Sequence, residues 1–511
     1  MIEDIKKVLG NKEDFWLNAS VLLYVALLPF NAFSFHVFPG PYFRLNLTKG
    51  ALLLVIVLGL RAYFKGRIKI KKAYLLYLFL TIQVLANLLS VVNSPNPTES
   101  FMLTVTISQY CVLVFVLIHV VRSEVLLRVI LRVMAIFVLV VIAHSIGIFL
   151  WRGGVFFTRT QPSMLGNGIG PYLSYFLIMF GTGLVYSLFV EKSKVINCLL
   201  WLSTGLWAFV IHINAMKAGS ITIVVFALLL LSTAYKEWRK AIPLVGVVVA
   251  VFFLVLQLVP IVNSFLPPLE SESQVLTPGG AAPSEAAPSE AAPSEAAPSE
   301  PQVPTPGGAA PSEELNTLGY QPSYNPANNV MHRWTSGNSL EIRVRGWLSG
   351  IFMATSHFWM GVGVGQTGHY FNDYSELVRE STQGILPQLP YRKYLLSDKV
   401  LRHGTISIHN IFINAWAETG ILGLFAIIGV VSVTFSKSVP AVFFSKRSGV
   451  NAVHFFLPLL LSILLYHQIL YFWFHPWLWT TIALAYAAAD IDRVLPIPER
   501  VVSHFDTEVN L

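Results

Sequence analysis

Polar residues with the capacity for acid–base chemistry open a long apolar run near the C-terminal end of the chain. The run begins Ser407-Ile-His409-Asn410 and continues IFINAWAETGILGL. A histidine titrates at a pKa of about 6.5, so it can take up or release a proton near neutral pH. In a helix, Asn410, Asn414 and Glu418 recur every four residues and share one face. Such stripes in membrane helices mark functional cavities or bind neighbouring helices, and these residues fit both interpretations equally.

The composition of the chain indicates that this run crosses a membrane. Of 511 residues, 54% are hydrophobic and only 12% are charged, whereas soluble proteins carry about 25% charge. Apolar runs of the length needed to span a bilayer recur along the chain. We therefore predict an all-α integral membrane protein with about twelve transmembrane helices. They lie near 17–38, 47–64, 73–92, 101–121, 125–150, 168–190, 195–213, 218–235, 241–263, 409–435, 452–467 and 474–490.

The distribution of Lys and Arg predicts the topology. If both termini are cytoplasmic, alternate connections hold 22 of the 35 basic residues, the short outer loops hold five and one large loop holds eight. This is the bias expected of a multi-pass protein of the inner (plasma) membrane. The net charge of +8 is thus explained by topology, and no nucleic-acid partner is predicted.

A large periplasmic or extracellular loop is predicted between spans nine and ten, and it divides the chain. Spans one to nine occupy 1–263, a low-complexity spacer 264–320, an ordered helical part 321–408, spans ten to twelve 409–490 and a cytoplasmic tail 491–511. AAPSE occurs five times in the spacer, and this composition offers nothing to bury. A tolerated repeat expansion is favoured over an interaction tether.

A helix is predicted after the spacer, between Glu341 and Trp359. Its apolar residues recur at i, i+3, i+4, i+7 and i+8, which defines one helix face; they are Val344, Trp347, Leu348, Ile351 and Phe352. We expect an amphipathic helix that lies on the outer membrane surface or on the bundle. The run Gly361-Val-Gly-Val-Gly365 is predicted to end it in a turn.

These residues resemble a known family. His409-Asn410, nine residues, Gly420, two residues and Gly423 resemble the signature of the O-antigen ligase and polymerase superfamily. The segment Arg343-Val-Arg-Gly-Trp347, the glycine turn that follows it and Gly166-Asn167-Gly168 are also similar to features of that family. Twelve spans with the large loop between the ninth and tenth match its ligase layout.

The resemblance implies transfer of a glycan from a polyprenyl (undecaprenyl) diphosphate carrier to an acceptor hydroxyl on the outer face of the inner membrane. A single displacement would invert the anomeric centre. His409 is the expected catalytic base, and Arg343, Arg345 and Lys217 are expected to bind the diphosphate. Lys217 stands where the family commonly carries Ser-Arg, so the bidentate guanidinium is lost there. The supporting residues are Asn410, Asn414, Glu418 and Trp347.

Several alternatives remain open at this stage. A ligase would use a lipid A-core sugar or similar acceptor and a polymerase would extend the glycan; the nine-residue spacing and loop placement favour a ligase. A lipid-glycan transporter is disfavoured because the two halves of the chain show no similarity. Membrane lipid is an expected partner, and neither a cofactor nor a metal is required. Asp490-Ile-Asp492 resembles a metal-binding Asp-x-Asp motif but lies in no α/β domain, so no metal role is predicted for it. The aromatic run 471–479 is interpreted as an interfacial belt or, secondarily, as the wall of a lipid-donor groove.

Overall fold

A computed structural model provides the three-dimensional structure. It describes residues 2–10, 14–28, 34–36, 44–68, 73–151, 162–163, 166–167, 170–213, 217–234, 237–265, 338–381, 408, 410–444, 451–468 and 476–494. The predicted spacer lies outside these residues except at its start, as does most of the predicted tail. The division of the chain into segments therefore stays a prediction.

The described chain is almost entirely helical. Its helices are α1 (Ile2–Leu9), α2 (Phe15–Leu27), α3 (Leu47–Phe64), α4 (Tyr74–Ser90), α5 (Pro97–Val120), α6 (Glu124–Trp151), α7 (Gly170–Val190), α8 (Lys194–Ile213), α9 (Lys217–Thr233), α10 (Trp238–Phe265), α11 (Asn338–Ser356), α12 (Thr367–Ser381), α13 (Ile411–Phe443), α14 (Val453–His467) and α15 (Pro476–Val494). A helix occupies each of the twelve segments that the sequence predicts to be spans.

Length and composition support a polytopic membrane protein. Within the described residues, seven helices are long and apolar enough to cross a membrane, and they belong to α3, α4, α5, α6, α8, α10 and α13. Four shorter apolar helices accompany them, in α2, α7, α9 and α14. The count of twelve spans, the placement of the large loop and the side on which the termini lie stay predictions.

The first predicted span ends earlier than expected. Helix α2 ends at Leu27, and the C-cap residue Leu28 keeps helical backbone angles. The predicted helix to residue 38 is wrong at 34–36, which form a strand. Strand β1 (Ser34–His36) instead pairs antiparallel with β2 (Arg44–Asn46). A second pair, β3 (Pro162–Ser163) with β4 (Gly166–Asn167), precedes α7.

Helix α13 is central to the packing. It lies mainly against α4 and also contacts α11, α14 and α15. Gly429 lets the ring of Phe79 approach the α13 backbone, and Phe79 packs edge-on against Phe425 with ring centroids 5.2 Å apart. Since α4 and α13 run antiparallel, these contacts position the N-terminal end of α13 beside the C-terminal end of α4.

The aromatic run near α15 is part of the core where it is described. Trp477 and Trp479 are buried, so the interpretation as an interfacial belt is wrong for both. The Trp477 indole N–H donates to the Leu28 carbonyl oxygen over 3.1 Å, and its ring stacks on Tyr175. The indole thereby ties the C-terminal end of α2 to α15.

The Asp490-Ile-Asp492 motif at the end of α15 stabilises helix packing. Asp490 forms an ion pair with Lys437 over 2.7 Å, and Asp492 accepts a hydrogen bond from the Asn451 amide over 2.9 Å. Both carboxylates thus hold α15 against its neighbours.

Candidate functional site

Helix α13 is broken near its N-terminal end. Gly420 has φ 71° and ψ −172°, which are not helical angles, so α13 consists of a short segment 411–419 and a long segment 421–443. Only glycine adopts this backbone region readily. The sequence predicted one continuous helix here. The break places Asn410, Asn414 and Glu418 on the short segment, separately from the long apolar one.

The turn after α11 fastens the break. The backbone N–H groups of Val362 and Gly363 donate to the carbonyl oxygens of Ala417 and Glu418 over 2.9 and 3.0 Å, and the N–H of Ile421 donates to the Phe358 carbonyl oxygen over 2.8 Å. These bonds replace those that the interrupted helix cannot make. We call the turn 357–363 together with residues 417–421 the glycine joint.

Close backbone approach in the joint requires its glycines. A Cβ on Gly361 would overlap the main chain of Glu418, and a Cβ on Gly420 would overlap the carbonyl of Trp359. Gly423 lies one turn further along α13, where a Cβ would overlap the Thr419 hydroxyl. The two glycines of the family-like signature thus have separate roles: Gly420 makes the break and Gly423 leaves room beside it.

The connection between α4 and α5 also contacts the joint. The Asn93 amide donates to the Gly361 carbonyl oxygen over 3.4 Å. A Cβ on Gly363 would lie 2.7 Å from the Cβ of Ser94, so the two backbones are in close contact. The sequence carried no signal for this contact, because nothing in the α4–α5 connection marks it as adjacent to the large loop.

Helix α11 packs on the start of α13 through its small residues. Gly350 allows the side chains of Ile408 and Ile413 to approach, and Gly346 faces the Ile408 main chain. Met353 and Ala354 are buried on the same side. The helix is as predicted, but the predicted apolar face is only partly the packed one. Ile351 and Phe352 are 38% and 36% exposed, because the glycines permit closer helix contact than large side chains do.

Asn410 is the N-cap of α13. Its side-chain oxygen accepts hydrogen bonds from the N–H groups of Phe412 and Ile413, both over 3.0 Å, and its backbone is extended. It therefore ends the preceding chain and begins the helix. Residue 409 directly precedes this cap in sequence.

We predict that Asn410→Ala lowers the free energy of unfolding by about 1 kcal/mol, because two backbone donors lose their acceptor. Glycan transfer should fall with it, since the start of α13 loosens. Asn410→Asp and Asn410→Ser keep a capping oxygen and should restore both properties. Thermal unfolding and transfer assays on the three variants measure this. If neither capping residue restores transfer, the Asn410 amide acts on the substrate instead.

Asn414 and Glu418 are buried polar residues on the short segment of α13. Asn414 is 0% exposed and Glu418 is 1% exposed. Neither amide atom of Asn414 has a hydrogen-bond partner among the described residues. Buried polar groups are normally satisfied, so this amide indicates a polar environment beside the helix. The polar stripe faces the protein interior, as expected for such a stripe in a membrane protein.

Arg343 lies on α11, one turn before Gly346. Its side chain is half-buried, and burial lowers the pKa of its guanidinium below the ordinary value. A partly desolvated cation at this position favours an anionic neighbour. Trp347, four residues on, is half-buried and packs with Ile408 and Ile413 in a hydrophobic cluster. The predicted Arg343–Trp347 segment and the start of α13 are therefore adjacent.

Three predicted site residues have side chains about which the structure gives no information. His409 lies outside the described residues. Arg345 and Lys217 belong to described helices, with Lys217 at the first position of α9, but their side chains lie outside the description. Their roles stay predictions. In the described part of the chain, no three His, Cys, Asp or Glu side chains are grouped so that they could hold a metal ion.

The glycine joint, α11 and the first part of α13 fall within a segment recognised by comparison with protein families. Residues 202–428 match the family model described as O-antigen ligase. This segment belongs to the O-antigen ligase family. The O-antigen ligase segment extends from within α8, across the large loop, to beyond Gly423 in α13. It includes every residue that the sequence predicted for the site. No curated protein matches the chain.

The match of this segment to the O-antigen ligase family assigns a function at a coarse level. The chain is an enzyme of the O-antigen ligase or polymerase type, and such enzymes use a lipid-linked glycan and an acceptor. Together with its apolar helices, this indicates a multi-pass protein of the inner membrane. Ligase and polymerase are equally compatible with the match.

Proposed function

We propose that this enzyme transfers a glycan from a polyprenyl (undecaprenyl) diphosphate carrier to an acceptor hydroxyl on the outer face of the inner membrane. The observation that carries the proposal is the packing of the Arg343–Trp347 turn of α11 on Ile408, next to the predicted base, inside the O-antigen ligase segment. The helix turn that carries the cation Arg343 thus packs on the residue that directly precedes the proposed base His409 in sequence, which supports assigning both residues to one site.

The reaction is a single displacement at the anomeric carbon. The acceptor oxygen forms a bond to this carbon on one face while the bond to the diphosphate oxygen breaks on the other, so the configuration inverts. The bonding electrons leave with the diphosphate, and the acceptor proton passes to the imidazole of His409. No metal is required by this scheme.

Charge stabilisation is assigned to the cations of the outer loops. Negative charge grows on the diphosphate as its bond to the sugar breaks, and a preorganised cation that is partly removed from water stabilises such charge most strongly. The half-buried guanidinium of Arg343 suits this role. Arg345 is two residues further along the sequence, and we assign it the same role. Lys217 supplies charge without a bidentate fork, so we expect its contribution to be smaller.

The joint is assigned a positioning role. Because the turn 357–363 is bonded to the end of the short α13 segment, α11 and that segment form one packed unit. The cap formed by Asn410 fixes where this unit begins. Asn414 and Glu418 lie one and two turns below and are proposed to maintain a polar interior there. A residue displaced by about 1 Å in such a site loses much of its rate advantage.

The acceptor is proposed to be a lipid A-core sugar or similar lipid-linked sugar, as in a ligase. Analysis of glycan chain lengths in a deletion strain tests this. Deletion of a ligase leaves full-length chains on the lipid carrier, whereas deletion of a polymerase leaves single repeat units there. Expression of the wild-type gene should restore mature glycan. The contrary result is that lipid-linked glycan stays on the inner face of the membrane in the deletion strain while the transfer step on the outer face is unaffected. That result would indicate a transporter and contradict the proposal.

A further inference from the structure

An open cleft lies far from the glycine joint, at the opposite end of the bundle. It is a shallow depression between the C-terminal ends of α3 and α5, with about 270 Å³ of empty space when the open solvent at its mouth is included. Its walls are almost entirely apolar and are formed by Gly59, Leu60, Tyr63, Ile68, Phe115, Val116 and His119. Gly59 and Val116 close its inner end, where a Cβ on Gly59 would lie 2.7 Å from Val116. We call it the α3–α5 cleft.

A defined turn forms the mouth of this cleft. Gly66 has φ 69°. The N–H of Arg67 donates to the Ala62 carbonyl oxygen over 3.0 Å, and the N–H of Gly66 donates to the Tyr63 carbonyl oxygen over 2.8 Å. This is the Schellman arrangement that ends a helix. It directs Ile68 back over the cleft as one of its walls.

Arg122 connects this turn to the end of α5. Its guanidinium donates to the carbonyl oxygens of Arg67, over 3.2 Å, and His119. Inside the cleft, the Tyr77 hydroxyl and the His119 imidazole are hydrogen-bonded over 3.0 Å. The polar groups at the mouth are therefore ordered by contacts with one another, and the cleft is a built feature of the fold.

Positive charge surrounds the mouth. Three of the eight described residues 61–68 are basic and exposed, namely Arg61, Lys65 and Arg67. In the described part of the chain, the exposed side chains of Arg61 and Lys65 form no ion pair. Arg122 has Asp14 nearby, so much of the excess charge comes from the α3 end. Phe64, 81% exposed, adds an aromatic side chain of the kind found at membrane interfaces.

We infer that the α3–α5 cleft binds an anionic phospholipid. One acyl chain would occupy the apolar cleft, and the headgroup phosphate would face Arg61, Lys65 and Arg67 at the mouth. Apolar clefts between membrane helices that open beside clustered basic residues suit such lipids. The positive-inside bias explains a basic connection at this end, but it requires no cleft. Charge complementarity and the apolar slot together select a lipid over a soluble anion.

Native mass spectrometry of the purified full chain tests the headgroup part of the inference. Phosphatidylglycerol and phosphatidylcholine with identical acyl chains are titrated into the detergent-solubilised protein. The wild type should retain phosphatidylglycerol preferentially. The double variant Arg61→Gln, Lys65→Gln should weaken this binding about 30-fold, since each basic residue near a lipid headgroup contributes about fivefold. The matched control Lys192→Gln, Lys194→Gln removes equal charge from another exposed connection and should retain the preference.

The apolar slot is tested separately. Leu60→Trp fills the cleft and should reduce retention of phosphatidylglycerol at least as strongly as the double variant. Leu54→Trp changes an exposed leucine of the same helix that does not line the cleft and should have no effect. Equal retention of the two lipids by the wild type would overturn the inference. So would full retention by Leu60→Trp, or an equal loss of preference in both charge variants.

Discussion

Replacement of Gly420 by alanine is expected to abolish glycan transfer and to lower the thermal stability of the purified protein. Alanine at φ 71° and ψ −172° is strained by about 1–3 kcal/mol. Its Cβ would also overlap the Trp359 carbonyl, and such overpacking costs about 1–3 kcal/mol more. The chain can relieve both only by separating the turn 357–363 from α13, which displaces α11 and Arg343 from the helix start.

Three companion variants make this prediction specific to the joint. Gly246→Ala in α10 is the control, because a Cβ there meets nothing within 4 Å; transfer and stability should be unchanged. Gly361→Ala should reproduce the loss. The double variant Gly361→Ala, Gly420→Ala should be little worse than either single variant, since both open the same contact. If Gly420→Ala transfers glycan at the wild-type rate, the joint does not position the site.

Substitution of His409 by alanine is expected to reduce transfer by about 10²–10⁴-fold, which is the usual contribution of a positioned general base. The amount of protein in the membrane should not change. Residue 409 precedes the Asn410 cap in sequence, so the substitution changes no residue of α13. The measurement is the initial rate of product formation, normalised to the protein level.

His369→Ala serves as the matched control for His409. His369 is an exposed histidine of α12 in the same large loop, and its removal should leave the rate within about twofold of the wild type, as is usual for exposed surface positions. An active His409→Ala variant would end the assignment of His409 as the base. Loss of transfer in both variants would locate the effect in the loop as a whole.

Helices were well predicted by hydrophobic patterning. A helix occupies every one of the twelve predicted segments, because runs of apolar residues near bilayer length have few other ways to satisfy their backbone groups. The family resemblance carried by the signature is also confirmed, since the O-antigen ligase match contains the signature. The positions of the helices along the chain do not show whether all twelve of them span the membrane.

The contacts that organise the candidate site could not be read from the pattern. Residue type alone did not reveal that Gly420 interrupts a helix, because an isolated glycine in an apolar run is also compatible with a continuous one. The packing of α11 through Gly346 and Gly350 only partly follows the expectation that large apolar residues mark the buried face. The burial of Trp477 likewise followed from a partner, the Leu28 carbonyl, that is distant in sequence.

Reconstitution of the purified enzyme tests the central claim most directly. The protein is placed in lipid vesicles with a polyprenyl-diphosphate-linked glycan and an acceptor, without any nucleoside triphosphate, and both covalent product and released lipid diphosphate are measured. We predict one lipid diphosphate released per glycan transferred, with inversion at the anomeric carbon, and neither product with His409→Ala. Movement of the glycan across the bilayer without a new glycosidic bond would contradict the account.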